Sequence, residues 1–263
     1  MLSAILVPFT ALVHALWTAL GAATILFSVA DPRGDATGDG GYSLPAAEAS
    51  AGGLDLRTFT AANVDGKLEL RLALDQVDPA DSPNGFARPV FEVFIGDGRG
   101  GEDRLGATGF SSLPGQGWRY HLRVNGWRAE LEQRASDPAE GAPPAPPGPP
   151  TVSVQGAQVV IHTAIPASEG YGYWAFVGLY DPLSPDGLRR PVALADELEL
   201  VSRLADAPPV LDALSPTSQV GFWSTREVPP LGNAPDRSNW LLISGLVGAC
   251  LALAATIWGL FRS

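Results

Sequence analysis

Alternation of apolar and polar residues is the dominant pattern between residues 25 and about 225. In the segment 67–74 (KLELRLAL), four leucines fall on one face of an extended chain, and Glu69 and Arg71 fall on the other. The segment 54–60 alternates in the same way. Asp65-Gly66 lies between the two runs and favours a tight turn, because both residues tolerate a positive φ. The two runs therefore predict a β-hairpin.

Further short strands are predicted along the same region. They cover 90–95, 118–133, 151–162 and 170–180. The 3.6-residue period of a core-forming helix does not appear there, so many short strands must bury one another. Such strands close most simply as two packed sheets. The pattern predicts an all-β, immunoglobulin-like two-sheet sandwich over 24–228, with the proline-rich stretch 135–150 as a surface loop.

Both ends of the chain are apolar. Residues 2–23 carry no charge and end in the small residues typical of a signal-peptidase site, so 1–23 is interpreted as a signal peptide, either cleaved or retained as an anchor. Residues 240–260 are also uncharged and are long enough to cross a bilayer as one helix. We expect a stalk at 229–239, a C-terminal transmembrane helix at 240–260 and an extracytoplasmic domain at the cell membrane.

Composition narrows the classes of partner. Asp and Glu total 28 against 17 Lys and Arg, giving a formal charge of −11, and nucleic acid is a poor partner for such a chain. The single cysteine excludes an internal disulfide and cysteine-based zinc clusters. Neither the G-x-S-x-G elbow nor the H-E-x-x-H motif occurs. These observations favour a protein that is not an enzyme.

An aspartate-rich segment at 31–42 is the first candidate site. Asp31, Asp35 and Asp39 alternate with glycines, so hard oxygen ligands lie on a backbone that can curl around an ion. Calcium takes 6–8 such oxygens, and the segment is a candidate calcium site. The alternative is an ordinary loop in which the carboxylates cap backbone amides.

Aromatic residues supply a second candidate site. Flat rings stack on sugar rings, and the candidates for ligand binding are Trp118, Trp127, Tyr171 and Tyr173. The alternative is core packing, because residues along a strand point alternately to opposite faces and one of the two sets must face inward. His121 and His162 lie in predicted strands and are better explained as strand residues than as metal or haem ligands.

A series of motifs follows in a fixed order through about 200 residues. The motifs occupy 27–45 (FSVADPRGDATGDGGYSLP), 53–59, 83–86, 117–118, 124–127, 174–177, 190–192, 218–222 and 228–231. Together they resemble the C-terminal binding-module family named after glucodextranase. The resemblance implies a DOMON-like or carbohydrate-binding β-sandwich that holds a protein to glycans or to the cell envelope. Ala36 stands where the family usually has a second aspartate, which removes one potential calcium ligand.

Two functions remain open from the sequence. The first is a non-catalytic, membrane-anchored module of the cell envelope that binds polysaccharide or cell-wall glycan. The second is a structural or interaction subunit that joins other envelope proteins in a complex. Calcium is the one cofactor expected.

Overall fold

The computed structural model describes residues 23–46, 51–134, 148–193, 199–204 and 206–233. It contains thirteen described strands, one short α-helix and a 3-10 turn at Ala51–Gly53. The strands are β1 (Thr24–Ala30), β2 (Leu56–Val64), β3 (Lys67–Leu74), β4 (Pro89–Gly96), β5 (Ser111–Ser112), β6 (Tyr120–Val124), β7 (Ala129–Gln133), β8 (Thr151–Gln155), β9 (Gln158–Pro166), β10 (Gly172–Leu179), β11 (Val210–Ala213), β12 (Glu227–Val228) and β13 (Leu231–Gly232), and the helix α1 is Val220–Thr225.

Several predicted segments lie outside the described residues. They are residues 1–22 of the signal peptide, most of the proline-rich loop, the stalk beyond residue 233 and the helix at 240–260. Within the described ranges, no helix combines the length and the apolar character that a membrane crossing requires.

One sheet has five antiparallel strands in the order β1-β2-β3-β9-β8. Its β2–β3 hairpin confirms the prediction from alternation, with Val64 paired to Lys67 across the turn. Asp65 and Gly66 have φ values of 50° and 80°, which is the left-handed region that this tight turn requires.

The other large sheet has six strands. Its main path is β11-β10-β4-β6-β7, all antiparallel, and β13 pairs with one end of β10. The central strands β4 and β10 are buried along their whole length. A parallel pair of short strands, β5 and β12, completes the described strands.

The two sheets pack face to face through aromatic side chains. Tyr173 of β10 stacks on Phe27 of β1 with ring centroids 5.6 Å apart, and it lies 5.2 Å from Phe59 of β2. Leu70 and Leu72 of β3 join the same buried cluster. The chain is thus mostly β, with two large antiparallel sheets in a sandwich-like arrangement and very little helix among the described residues.

The segment 31–42 is fixed against the six-stranded sheet by Tyr42. The Tyr42 hydroxyl donates to the carbonyl of Pro208 at 2.9 Å and lies 3.2 Å from the indole nitrogen of Trp223 in α1. Gly38 fits beneath the Tyr42 ring, where an added Cβ would lie 2.3 Å from ring carbons. This packing brings the aspartate-rich loop close to β11 and α1.

Candidate functional site

A cluster of carboxylates lies where the two sheets meet. One carboxylate oxygen from each of Asp31, Asp35 and Asp212 lies within 4.8 Å of the others. Asp31 directly follows β1 of the five-stranded sheet, and Asp212 belongs to β11 of the six-stranded sheet. We call these three residues, with Asp55 at the entrance to β2, the carboxylate cluster.

Backbone amides hold two of these side chains in place. Ser215 donates its backbone N–H to Asp31 Oδ1 at 2.6 Å. Leu56 donates its backbone N–H to Asp212 Oδ2 at 2.7 Å, which ties the first residue of β2 to the opposite sheet. Both carboxylates therefore have a defined orientation.

Gln219, the residue that precedes α1, connects the cluster to the C-terminal part of the sandwich. Its amide nitrogen donates to the Asp35 carbonyl at 2.5 Å and to Asp212 Oδ1 at 3.2 Å. Its amide oxygen accepts the backbone N–H of Ala213 at 2.7 Å. Gln219 is itself buried, so the loop 31–42 and strand β11 are joined by one fully enclosed side chain.

Other oxygens of the carboxylate cluster are buried without a partner. Within the described ranges, Asp31 Oδ2, both Asp35 carboxylate oxygens and Asp55 Oδ1 have no hydrogen-bond partner. Arg57 lies beside the cluster, 3.9 Å from Asp55 Oδ2, but it also pairs with Asp75. The cluster therefore has more buried negative charge than this arginine balances.

Burial changes the protonation of these groups. Burial raises the pKa of Asp31 from 3.8 to about 8, with the charges of Asp35 and Asp55 adding to the effect and the Ser215 amide opposing it. Burial likewise raises the pKa of Asp212 well above its usual range, with the charge of Asp31 as the next cause. Fully ionised carboxylates are thus unfavourable here unless a proton or a cation compensates them.

The structure brings together part of the predicted calcium set. Asp31 and Asp35 are in the carboxylate cluster, but Asp39 is not, because its Oδ1 accepts the Gly41 backbone N–H at 2.8 Å in a local turn. The capping role that was the alternative interpretation therefore applies to Asp39. Asp212 was not predicted. The feature of the sequence that could have identified it is a single acidic residue inside the apolar strand β11.

Three of the four predicted sugar-stacking rings belong to the core. Trp118 and Tyr173 are 1% exposed and Tyr171 is 8% exposed, so almost none of their ring surface is left for a sugar to stack on. The indole nitrogen of Trp118 donates to the Arg104 carbonyl at 2.7 Å. Core packing, the alternative stated above, describes these three residues. Only Trp127 of the four is exposed, at 44%.

Trp127 forms an aromatic platform at the edge of a polar groove. Its ring stacks on Tyr180, with centroids 4.6 Å apart and an angle of 18° between the planes. Asn125 Oδ1 accepts the backbone N–H groups of Trp127 and Arg128, both at 2.9 Å, and so holds the turn between β6 and β7. Tyr180 lines a groove of about 290 Å³, which we call the Trp127 groove; its other polar lining residues are Arg123, Asn125, Arg128, Glu130, Asp181, Ser184 and Asp186.

A second groove of about 340 Å³ borders the first and shares Arg123 and Glu130 with it. We call it the His121 groove. It is also lined by Glu102, Arg104, Gly106, Trp118, His121, Glu132 and Arg134.

The floor of the His121 groove is a buried ionic network. The His121 ring stacks on Phe94 at 4.2 Å, and its Nε2 pairs with the fully buried Glu92. Arg123 donates to the other Glu92 oxygen at 2.6 Å. His121 Nδ1 lies 3.7 Å from Glu132 at the groove surface.

This network favours the protonated imidazole. Burial alone lowers the pKa of His121, but the neighbouring carboxylates of Glu132 and Glu92 outweigh this effect and raise the pKa above 6.5. The proximity of His121 lowers the pKa of Glu132 to about 2, against the effect of burial. The His121 groove therefore has a charged but internally balanced floor.

A family model for the C-terminal, SLH-like binding module of glucodextranase matches residues 26–222. The chain belongs to this family. The resemblance carried by the ordered motifs is thereby confirmed. The search among curated proteins returns no match for this chain.

The match to the glucodextranase-type binding module spans nearly all of the described sandwich. It begins inside β1 and ends inside α1. Asp31, Asp35, Asp55 and Asp212 all fall within it, as do the residues of both grooves. The family is one of binding modules rather than of catalytic domains.

We predict that the His121 imidazole has a pKa above 6.5. Glu132→Gln should lower this pKa by about one unit, because a neutral amide no longer favours the imidazolium. Since the folded state holds this proton more tightly than the unfolded chain, the contribution to stability is complete below about 6.5 and is lost as the pH rises through the folded pKa. A pH titration of the ring protons by NMR measures the His121 pKa in the wild type and in Glu132→Gln.

His162 provides the internal reference for this experiment. It lies in β9 of the other sheet and pairs with Glu69 at 2.8 Å, so unchanged His162 ring signals show that Glu132→Gln leaves the rest of the fold intact. A His121 midpoint below 6.5, or one that is the same in both proteins, would contradict the prediction.

Proposed function

We propose that this glucodextranase-type module is a non-catalytic protein of the cell envelope that binds polysaccharide or cell-wall glycan. The observation that carries the proposal is the family match over residues 26–222, since the matched family is described as the SLH-like binding module of glucodextranase. The exposed platform and its polar groove supply chemistry that suits such a ligand.

The Trp127 groove is the proposed glycan site. A sugar ring has an apolar face that packs on an aromatic ring and an edge of hydroxyl groups that need polar partners. The stacked Trp127–Tyr180 pair offers the first, and Arg128 and Asp181 in the lining of the groove offer the second. Because Trp127 is held over Tyr180 before any ligand arrives, little side-chain freedom is lost on binding.

We predict that Trp127→Ala weakens retention on glycan roughly tenfold, because an exposed aromatic ring that stacks on the ligand usually carries a large share of the affinity. Retention of the full chain is measured on starch-like polysaccharide and on purified cell-wall polysaccharide. Ile25→Ala is the control, since Ile25 is 64% exposed and lies in β1 of the other sheet. Equal retention of wild type and Trp127→Ala would reject the Trp127 groove as the site.

The second candidate function is an interaction subunit of an envelope protein complex. Leu183 favours it, because this leucine is 92% exposed in the loop that borders the Trp127 groove. An apolar side chain presented beside an aromatic platform suits a protein surface as well as a sugar. A chain that fails to bind either polysaccharide, but co-purifies with a defined envelope protein in a manner that Leu183→Ala abolishes, would favour this function instead.

Attachment to the cell membrane is part of the proposal. The last described strand, β13, pairs with the start of β10, and the uncharged stretch 240–260 follows it in the sequence. That uncharged stretch supports a single transmembrane helix, with the sandwich displayed outside the cytoplasmic membrane.

We predict that protease added to spheroplasts removes the sandwich and leaves a small membrane-bound fragment that contains 240–260. The reason is that an extracytoplasmic sandwich is accessible while the lipid protects the helix. The fragment is detected by immunoblot against a C-terminal tag, and a cytoplasmic marker protein controls for lysis. Complete protection of the sandwich in intact spheroplasts would contradict the proposed topology.

A further inference from the structure

The carboxylate cluster bridges the two sheets independently of either groove. Asp31 extends from the end of β1, whereas Asp212 is inside β11 on the opposite sheet, and their oxygens approach within 4.8 Å. A group bound between them would contact both layers of the sandwich at once. Glycan binding at the Trp127 groove is independent of this group, so one proposal can fail while the other holds.

Oxygens with unused lone pairs meet in this cluster. Asp31 is 4% exposed, and its Oδ2 has no hydrogen-bond partner among the described residues, although Ser215 fixes its Oδ1. Both carboxylate oxygens of Asp35 are likewise buried and unpartnered within the described part of the chain. Buried acceptors without donors are rare in folded proteins, and each one requires a physical explanation.

Asp55, which lies outside the group of three carboxylates, also has a buried oxygen without a hydrogen-bond donor among the described residues. Asp55 is 3% exposed, and Gly34 donates its backbone N–H to Asp55 Oδ2 at 2.9 Å. Its other oxygen, Oδ1, has no partner in the ranges that the structure describes. Because Gly34 directly precedes Asp35, the Gly34 hydrogen bond places Asp55 beside the loop that carries Asp35. An additional positive charge would satisfy Asp55 Oδ1 as well.

We infer that Asp31, Asp35 and Asp212 bind one divalent cation of the calcium class, with Asp55 beside them. All the donors are oxygens and the charge is strongly negative, a combination that suits hard cations and not zinc, which is usually held by histidine and cysteine. Calcium suits a buried site better than magnesium, because magnesium usually retains several waters and requires near-ideal octahedral geometry.

The cation links the two sheets and removes the repulsion among the carboxylates. It binds the folded chain, in which the three residues from positions 31, 35 and 212 converge, and has no comparable site in the unfolded chain. Binding therefore stabilises the fold by mass action. Among the variants, Asp35→Asn is the most informative, because neither side-chain oxygen of Asp35 accepts a hydrogen bond in the described structure.

The test is thermal unfolding of the full chain in excess calcium and in chelator, at constant ionic strength. Calcium at about a hundred times its dissociation constant is expected to raise the wild-type melting temperature by about 5–10 °C. Asp35→Asn should lose this rise, and in chelator it should melt at or above the wild type because one repelling charge is gone. Magnesium at the same concentration should give a much smaller rise, which separates specific binding from general screening of the −11 charge.

Asp39→Asn is the matched control in the same loop. Its amide oxygen can still accept the Gly41 N–H, so the turn is kept and the calcium-dependent rise should equal that of the wild type. Equilibrium dialysis with calcium should find one ion per chain for the wild type and Asp39→Asn, and none for Asp35→Asn. Equilibrium dialysis counts the bound calcium independently of the melting curves. If Asp35→Asn is too unstable for a cooperative melt, Asp31→Asn is used in its place.

Two results would overturn the inference. Identical wild-type melting curves in calcium and chelator, with no calcium retained on dialysis, would show that shared protons compensate the carboxylates instead. Equal calcium responses of Asp35→Asn and Asp39→Asn would show that calcium acts on the surface charge and not at the cluster.

Discussion

Burial of acidic side chains between two sheets is the constraint on which the rest of this sandwich depends. Asp212 has no exposed surface, yet it receives the first backbone amide of β2 and the side chain of Gln219. The loop after β1, the entrance to β2 and the segment before α1 all meet there. Each of these connections compensates part of a charge that the core would otherwise exclude. The sheets are thus joined by electrostatics as well as by apolar packing.

Paired buried charges also hold the proposed binding surface in place. Both grooves lie against strands of the six-stranded sheet, and the floor of one is the Glu92–His121–Glu132 network supported by Phe94. Because these buried charges are paired, the floor keeps one geometry. The Trp127–Tyr180 platform is attached to this floor through the short β6–β7 turn. A preorganised surface of this kind suits recognition of a stiff ligand such as a polysaccharide.

Much of the fold followed from the sequence, but less of the site did. Alternation and Asp65-Gly66 identified the β2–β3 hairpin, because both are local properties. Asp212 escaped prediction because its partners come from the other end of the chain, and only the topology brings them together. The aromatic candidates show a related limit. Tyr173 lies in β10, which is buried on both faces, so period two does not say whether a side chain of that strand reaches solvent.

The most direct test of this account is anomalous diffraction from crystals of the full chain grown with calcium. A cation that compensates the buried carboxylates gives an anomalous peak between Asp31, Asp35 and Asp212, with oxygens at about 2.3–2.6 Å from it. The absence of a peak there, with carboxylate oxygens in direct contact across a shared proton, would contradict the account.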